Sequence, residues 1–204
     1  MIKDFGSPSR CAQLCTFDCE GELLYHVVDD AFLMKGRIDE AIDQYRKINN
    51  KKAIINMKYR EGKNFSGQSM RNTYWHAWGH DSLRLPGIPK EYKISPHHLI
   101  DADYFRKLGG YDCSFIYQNF NLHDFIFRVQ FDGGIIYDSI NDITTCDHDQ
   151  ADHKIIEQVH HDHDFPLFNK IYSNPNALKD REKIDINNWV QQPSLWKRFN
   201  KKIP

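Results

Sequence analysis

The sequence predicts an α/β layered fold, and three observations carry that expectation. Short β-branched and aromatic runs alternate with segments of helical period. Glycines and capping residues punctuate the ends of those segments. No internal repeat and no interdomain linker breaks the pattern, so the 204 residues read as one domain large enough to bury a core.

The elements follow in order. After the turn-like GSPS, the run RCAQLCTFDCEG reads as a helix closed by Gly21. Leu23 to Val28 is a short strand that exits at two adjacent carboxylates, Asp29 and Asp30. GRIDEAIDQYRKINNKK is the clearest helix, with Ile38, Ala41, Ile42 and Tyr45 on one face and a basic last turn. AIINMKYR reads as a strand. From Glu61 to Pro96 the pattern dissolves into Gly, Asn, Ser and aromatics, and so long an irregular stretch is usually functional or mobile. SPHHLIDADYFRKLGGYD reads as strand, helix and a Gly-Gly stop. NLHDFIFRVQFDGG is a second helix with Leu122, Phe125 and Val129 inward, IIYDSI is a strand, and a polar helix and tail close the chain.

Composition excludes some classes. Twenty-seven basic against 28 acidic residues argue against a nucleic-acid protein, which would need a basic face, and only the tail WKRFNKK looks basic. No stretch reaches the roughly 18 apolar residues of a membrane span, and the N-terminus lacks an apolar signal core. Five cysteines do not make a disulfide scaffold and fit a reducing, cytoplasmic setting. Cys11, Cys15 and Cys19 recur every four residues, as small core residues on one helical face would.

The carboxylate pair raises the chemical question. In α/β sheets ligands gather beyond the carboxyl ends of strands, where Asp29 and Asp30 project. Adjacent carboxylates repel unless a hard cation such as Mg²⁺ or Mn²⁺ bridges them, commonly with a phosphate. The plainer reading makes Asp30 a cap for the next segment and Asp29 a solvated side chain.

GGYDCSF (109–115), then NLHDFIFR (121–128), then a Gly pair, resembles the second half of family 2 glycosyltransferases. The family shows a GGFD…F turn, an acidic ED-x-D-L helix start with Arg four residues after the last Asp, and Gly beyond. Gly109, Gly110, Asp112, Phe115, Asp124, Arg128 and Gly133 stand at comparable spacing, and VVDD falls where the family carries its metal-binding DxD. The resemblance covers about residues 6–150. It implies a GT-A-like mixed sheet flanked by helices, with 1–60 as the nucleotide and metal half, 61–170 as the acceptor and catalytic half, and 171–204 as a terminal helix and tail.

It also implies an inverting, metal-dependent transfer of sugar from a nucleotide donor to a glycan, lipid or protein hydroxyl. Asp29 and Asp30 would hold Mn²⁺ or Mg²⁺. Asp124, at a helix start, would be the general base, oriented by Arg128 one turn along. The family's acidic pair is replaced by Asn121-Leu122, so His123 is a second candidate for the base, and Asp124 has the plainer reading of a helix N-terminal carboxylate. His148 falls where many members place a metal or diphosphate histidine. Trp75 and Trp78 suit either sugar stacking or core packing. His98, Gly110 and Asp112 complete the expected acceptor side.

For the rest of the cluster DHDQADHKIIEQVHHDHD, a solvated surface is expected, because no His pair brackets a Glu at zinc-helix spacing. Family members begin with a strand–helix–strand unit of about 50 residues that has no counterpart ahead of GSPSR. The expectation is therefore an N-terminally truncated sheet, arising from a truncated gene product, from a start codon called too late, or from a sheet that a partner or a second copy of the chain completes. The rival reading is a non-catalytic carbohydrate- or nucleotide-sugar-binding remnant.

Overall fold

The computed structural model describes residues 7–17, 19–28, 31–61, 69–70, 74–76, 84–146 and 158–191. It is mixed α/β, with two four-stranded mixed sheets, a two-stranded ribbon and flanking helices.

Helix α1 (Pro8–Cys15) starts where the sequence suggests: Ser7 Oγ accepts from the Arg10 amide and Pro8 opens the first turn. It stops four residues before Cys19, which changes the reading of the cysteines. Cys15 is exposed and Cys11 and Cys19 are half-buried, while Ser9 and Gln13 form the buried face. The buried cysteines are Cys113 and Cys146.

The main sheet contains β1 (Leu23–His26), β3 (Ala53–Asn56), β8 (His98–Asp101) and β9 (Ile135–Asp138) in the order β1-β8-β3-β9. β8 is antiparallel to both its neighbours, and β3 and β9 are parallel. Hence β1, β3 and β9 all run the same way and end along one edge. His26 stands opposite His98, His98 opposite Asn56, and Asn56 opposite Asp138.

Each of those three strands then enters a second sheet, through β2 (Ala31–Leu33), β4 (Tyr59–Glu61) and β10 (Thr144–Cys146). AIINMKYR is thus two strands, broken at Met57-Lys58. Lys58 turns its amide to Ser139 Oγ, and the chain passes from one sheet to the other. β5 (Ser69–Met70) extends the second sheet, and β6 (Tyr74–His76) pairs with β7 (Glu91–Lys93).

Strand alternation sorts the core. Ile54, Ile100 and Ile136 pack with Phe105 and Leu108 of the α3 region and with Phe125 and Val129 of α4. Helix α3 is Ala102–Lys107 and α4 is Gln118–Phe131. Ala53, Ile55 and Leu99 face Ala41 and Tyr45 of α2 (Arg37–Ile48), matching the stripe read from sequence.

A third cluster covers the far side of α4. Phe120 and Phe127 meet Ile88, Tyr92, Phe115 and, from α5 (Phe165–Tyr172), Phe168 and Tyr172. Helix α4 is therefore sandwiched rather than half exposed. Short helix α6 (Ala177–Asp180) follows, and the segment 184–191 returns to α1. There Gln13, fully buried, donates from Nε2 to the carbonyls of Gly109 and Ile186 and accepts from the Tyr111 amide.

Among the described residues no helix is long and apolar enough to cross a membrane.

Candidate functional site

Two polar regions lie around the sites expected from the sequence. The first is buried inside the α4 sandwich. Asp124 has no exposed surface. Its Oδ2 accepts from Arg128 Nε at 2.9 Å, and its Oδ1 accepts from the Tyr172 hydroxyl at 2.7 Å and from Arg181 Nε and Nη2 at 3.0 and 2.8 Å. Arg181 Nη2 also donates to Asp112 Oδ2. Arg128, equally buried, donates onward to the carbonyls of Leu108 and Gly110 at 2.8 and 2.6 Å.

Burial alone would raise the Asp124 pKa, but the Arg181 and Arg128 guanidiniums and the Tyr172 hydroxyl outweigh it. They hold the carboxyl below its usual range. The Tyr172 hydroxyl is pushed the other way, first by burial and then by the Asp124 charge.

That geometry revises three expected roles. A general base must reach an acceptor hydroxyl. Asp124 instead spends its oxygens on two cations and a phenol, with no surface open to a substrate. Arg128 does pair with Asp124 as the spacing implies, but inside the core. His123 points into the aromatic cluster, edge-on to Tyr92 at 5.5 Å and near Phe127 and Phe168. The reason is the second packed face of α4, which needs the residues of 165–181 and has no signature in the helix itself.

Asn121, which replaces the family's acid, accepts the Asp112 amide on Oδ1 at 3.0 Å. Leu122 joins the core.

The acceptor-side expectations divide likewise. Gly110 has φ 65°, and an added Cβ would run into the Gln13 amide and the Phe105 ring, so its part is to let the turn close. His98 is fully buried. Its Nδ1 lies 2.8 Å from the Ser95 carbonyl, which can only accept, so Nδ1 carries the proton and Nε2 accepts from the Tyr111 hydroxyl at 2.9 Å. Burial pushes its pKa down to about 4, with the Ser95 contact acting in the opposite direction. A neutral, doubly satisfied imidazole is a core group rather than a sugar contact. Asp112 is nearly buried, accepting from the Ser114 amide at 2.8 Å and from Arg181.

The second region is the edge where β1, β3 and β9 end. His26 stacks on His98 at 5.2 Å, and its buried Nε2 has no hydrogen-bond partner among the described residues. Burial, and then His98 and His97, lower its pKa well below the ordinary value. Next along, Asn56 Nδ2 donates to Asp138 Oδ1 at 2.8 Å, and Lys93 Nζ meets Asp138 Oδ2 at 2.6 Å. His97 lies over Tyr59 and near Thr144 Oγ1.

Comparison with protein-family models and with curated proteins gives no match to this chain. Function must therefore be argued from the residues and their arrangement.

Asp29, Asp30, Trp78 and His148 lie outside the described residues, as does the side chain of Trp75 within β6. Among the described residues no group of three or more His, Cys, Asp or Glu is arranged to hold a metal ion.

Val28 and Ala31, on either side of Asp29-Asp30, and Cys146, two residues before His148, are described. β2 and β10 are antiparallel with Ala31 opposite Cys146. The residue after Asp30 and the residue two before His148 are thus paired neighbours at the same end of the second sheet. Sequence reasoning did not reveal Arg181, Tyr172 or Gln13. Each sits in a polar segment or on a short helix where no periodicity distinguishes it from a surface residue.

Proposed function

We infer that this chain is a GT-A-like glycosyltransferase domain. It would bind a nucleotide-sugar donor through a divalent cation and transfer the sugar to a hydroxyl of a glycan, lipid or protein. The observation that carries the reading is the pairing of Ala31 with Cys146. Ala31, next after Asp30, and Cys146, two before His148, are 115 residues apart in sequence and pair side by side in the sheet.

The two carboxylates favour a hard cation, Mn²⁺ or Mg²⁺, beside a diphosphate, while the imidazole alone would favour zinc. The convergence of β1, β3 and β9 on one edge supports it further, since open α/β sheets take ligands there. Bound there, a cation would supply charge neutralisation for the departing diphosphate, which takes the bonding electron pair as the acceptor oxygen bonds to the sugar carbon and gives up its proton to solvent. The chain's own part would be to bring the ends of β2 and β10 side by side, with Asp29, Asp30 and His148 as the proposed ligands.

The burial of Asp124, Arg128 and His123 favours a second reading, in which the chain binds donor without turnover. Calorimetry with UDP and GDP in Mn²⁺, followed by donor hydrolysis and transfer assays, tests both. Metal-dependent binding that is lost in Asp30→Ala and in His148→Ala is expected for either reading. Turnover decides for the transferase. Equal binding with and without metal, or in wild type and Asp30→Ala, overturns both.

A further inference from the structure

Beside the Asp124 network, on the outside of α5 and α6, runs a groove of about 410 Å³ lined by Ser114, Leu167, Lys170, Ile171, Asn174, Ala177, Asp180 and Arg181. We propose that this groove is a binding site for a neutral saccharide, formed over the exposed face of Arg181.

The argument begins with which donors and acceptors remain unspent. Arg181 commits Nε and Nη2 to Asp124 and Asp112, while its Nη1 makes no hydrogen bond among the described residues. Its side chain stays 18% exposed, so Nη1 offers two N–H groups to the groove from a guanidinium that cannot swing away. Lys170 is exposed and makes no ion pair among the described residues. Ser114 is exposed, and its hydroxyl makes no hydrogen bond among the described residues. Asp180 accepts Asn174 Nδ2 on one oxygen at 2.8 Å, and its other oxygen makes no hydrogen bond among the described residues.

Charge then selects the ligand class. Arg181 is already balanced, because Asp112 and Asp124 face Arg181 and Arg128 with two charges against two. Lys170 and Asp180 add one positive and one negative charge to the lining. An anion would find no net positive charge here, and a cation no net negative charge.

Donors and acceptors of both kinds, with no net charge, match a ring of hydroxyl groups that donate and accept at once. Leu167, Ile171 and Ala177 give an aliphatic wall for the C–H face of a sugar ring. The volume lies in the range of small-molecule sites, about 300–1,000 Å³. Under the transferase reading this site would hold acceptor glycan, but the inference does not depend on donor chemistry. It uses none of the residues expected to hold the metal.

Titration calorimetry of the full chain in EDTA tests the proposal with glucose, galactose, N-acetylglucosamine and lactose, and with glucuronate and inorganic phosphate as charged comparators. At least one neutral sugar is expected to bind saturably and more tightly than either anion. Ser114→Trp, which places an indole at the exposed rim, and Lys170→Met, which removes a rim donor, should each weaken that sugar at least tenfold at unchanged melting temperature. Absence of binding by every neutral sugar, preference for phosphate or glucuronate, or undiminished affinity in Lys170→Met overturns it. EDTA separates this result from the metal-dependent donor test, so either proposal can fail alone.

Discussion

Neutralising Asp124 should be among the most damaging single changes in this chain. In Asp124→Asn the side chain keeps its size, but two guanidiniums lose their shared counter-charge. Arg128 has no exposed surface through which water could replace it, and Arg181 has little. One amide oxygen cannot serve Arg128 Nε, Arg181 Nε and Nη2 and the Tyr172 hydroxyl together, and the amide N–H₂ points donors at donors.

Breaking a buried ion pair by removing one partner costs about 3–5 kcal/mol. That is a large share of the roughly 5–15 kcal/mol available to a domain. With a urea dependence of about 2 kcal/mol per molar, the unfolding midpoint should fall by about 2 M. Removing a guanidinium as well, in Asp124→Asn with Arg181→Gln, should cost less than the sum of the single changes, because one uncompensated cation disappears with its partner. Urea unfolding followed by tryptophan fluorescence and far-ultraviolet circular dichroism reads both. A midpoint within about 0.3 M of wild type for Asp124→Asn would refute the reasoning, since the pairs would then only offset their own desolvation.

Other consequences are directly measurable. His98 is held neutral, with a pKa of about 4 in the fold against 6.5 unfolded, so the unfolded chain takes up the proton first as pH falls. The contribution of His98 should be fully present above pH 6.5 and decline by about 1.4 kcal/mol per pH unit from there toward pH 4. His98→Gln should flatten that slope, read as melting temperature against pH. Gln13→Leu leaves the Gly109 and Ile186 carbonyls and the Tyr111 amide unpaired, which should cost about 2–4 kcal/mol and expose 184–191 to protease. Gly109→Ala forces a Cβ onto the Ile184 carbonyl at φ 84°, and a loss of more than about 1 kcal/mol in chemical unfolding is expected.

Local chemistry alone specified much of this protein. The stripe Ile38, Ala41, Ile42 and Tyr45, the glycine stops at 109–110 and 133–134, and the apolar runs of β3 and β8 determined where helices and strands form. Periodicity and backbone freedom act within a few residues of chain. Tertiary structure decided what the charged residues of α4 do. From the helix alone, Asp124 and Arg128 form an i, i+4 pair with a solvent side. Only the return of residues 165–181 across that side buries them and brings Arg181 and Tyr172 to the same carboxylate. The meeting of β2 with β10 is likewise a long-range pairing that neither strand encodes locally. A side chain's neighbours set its dielectric surroundings and its unspent hydrogen bonds, and neighbours distant in sequence exist only once the chain has folded.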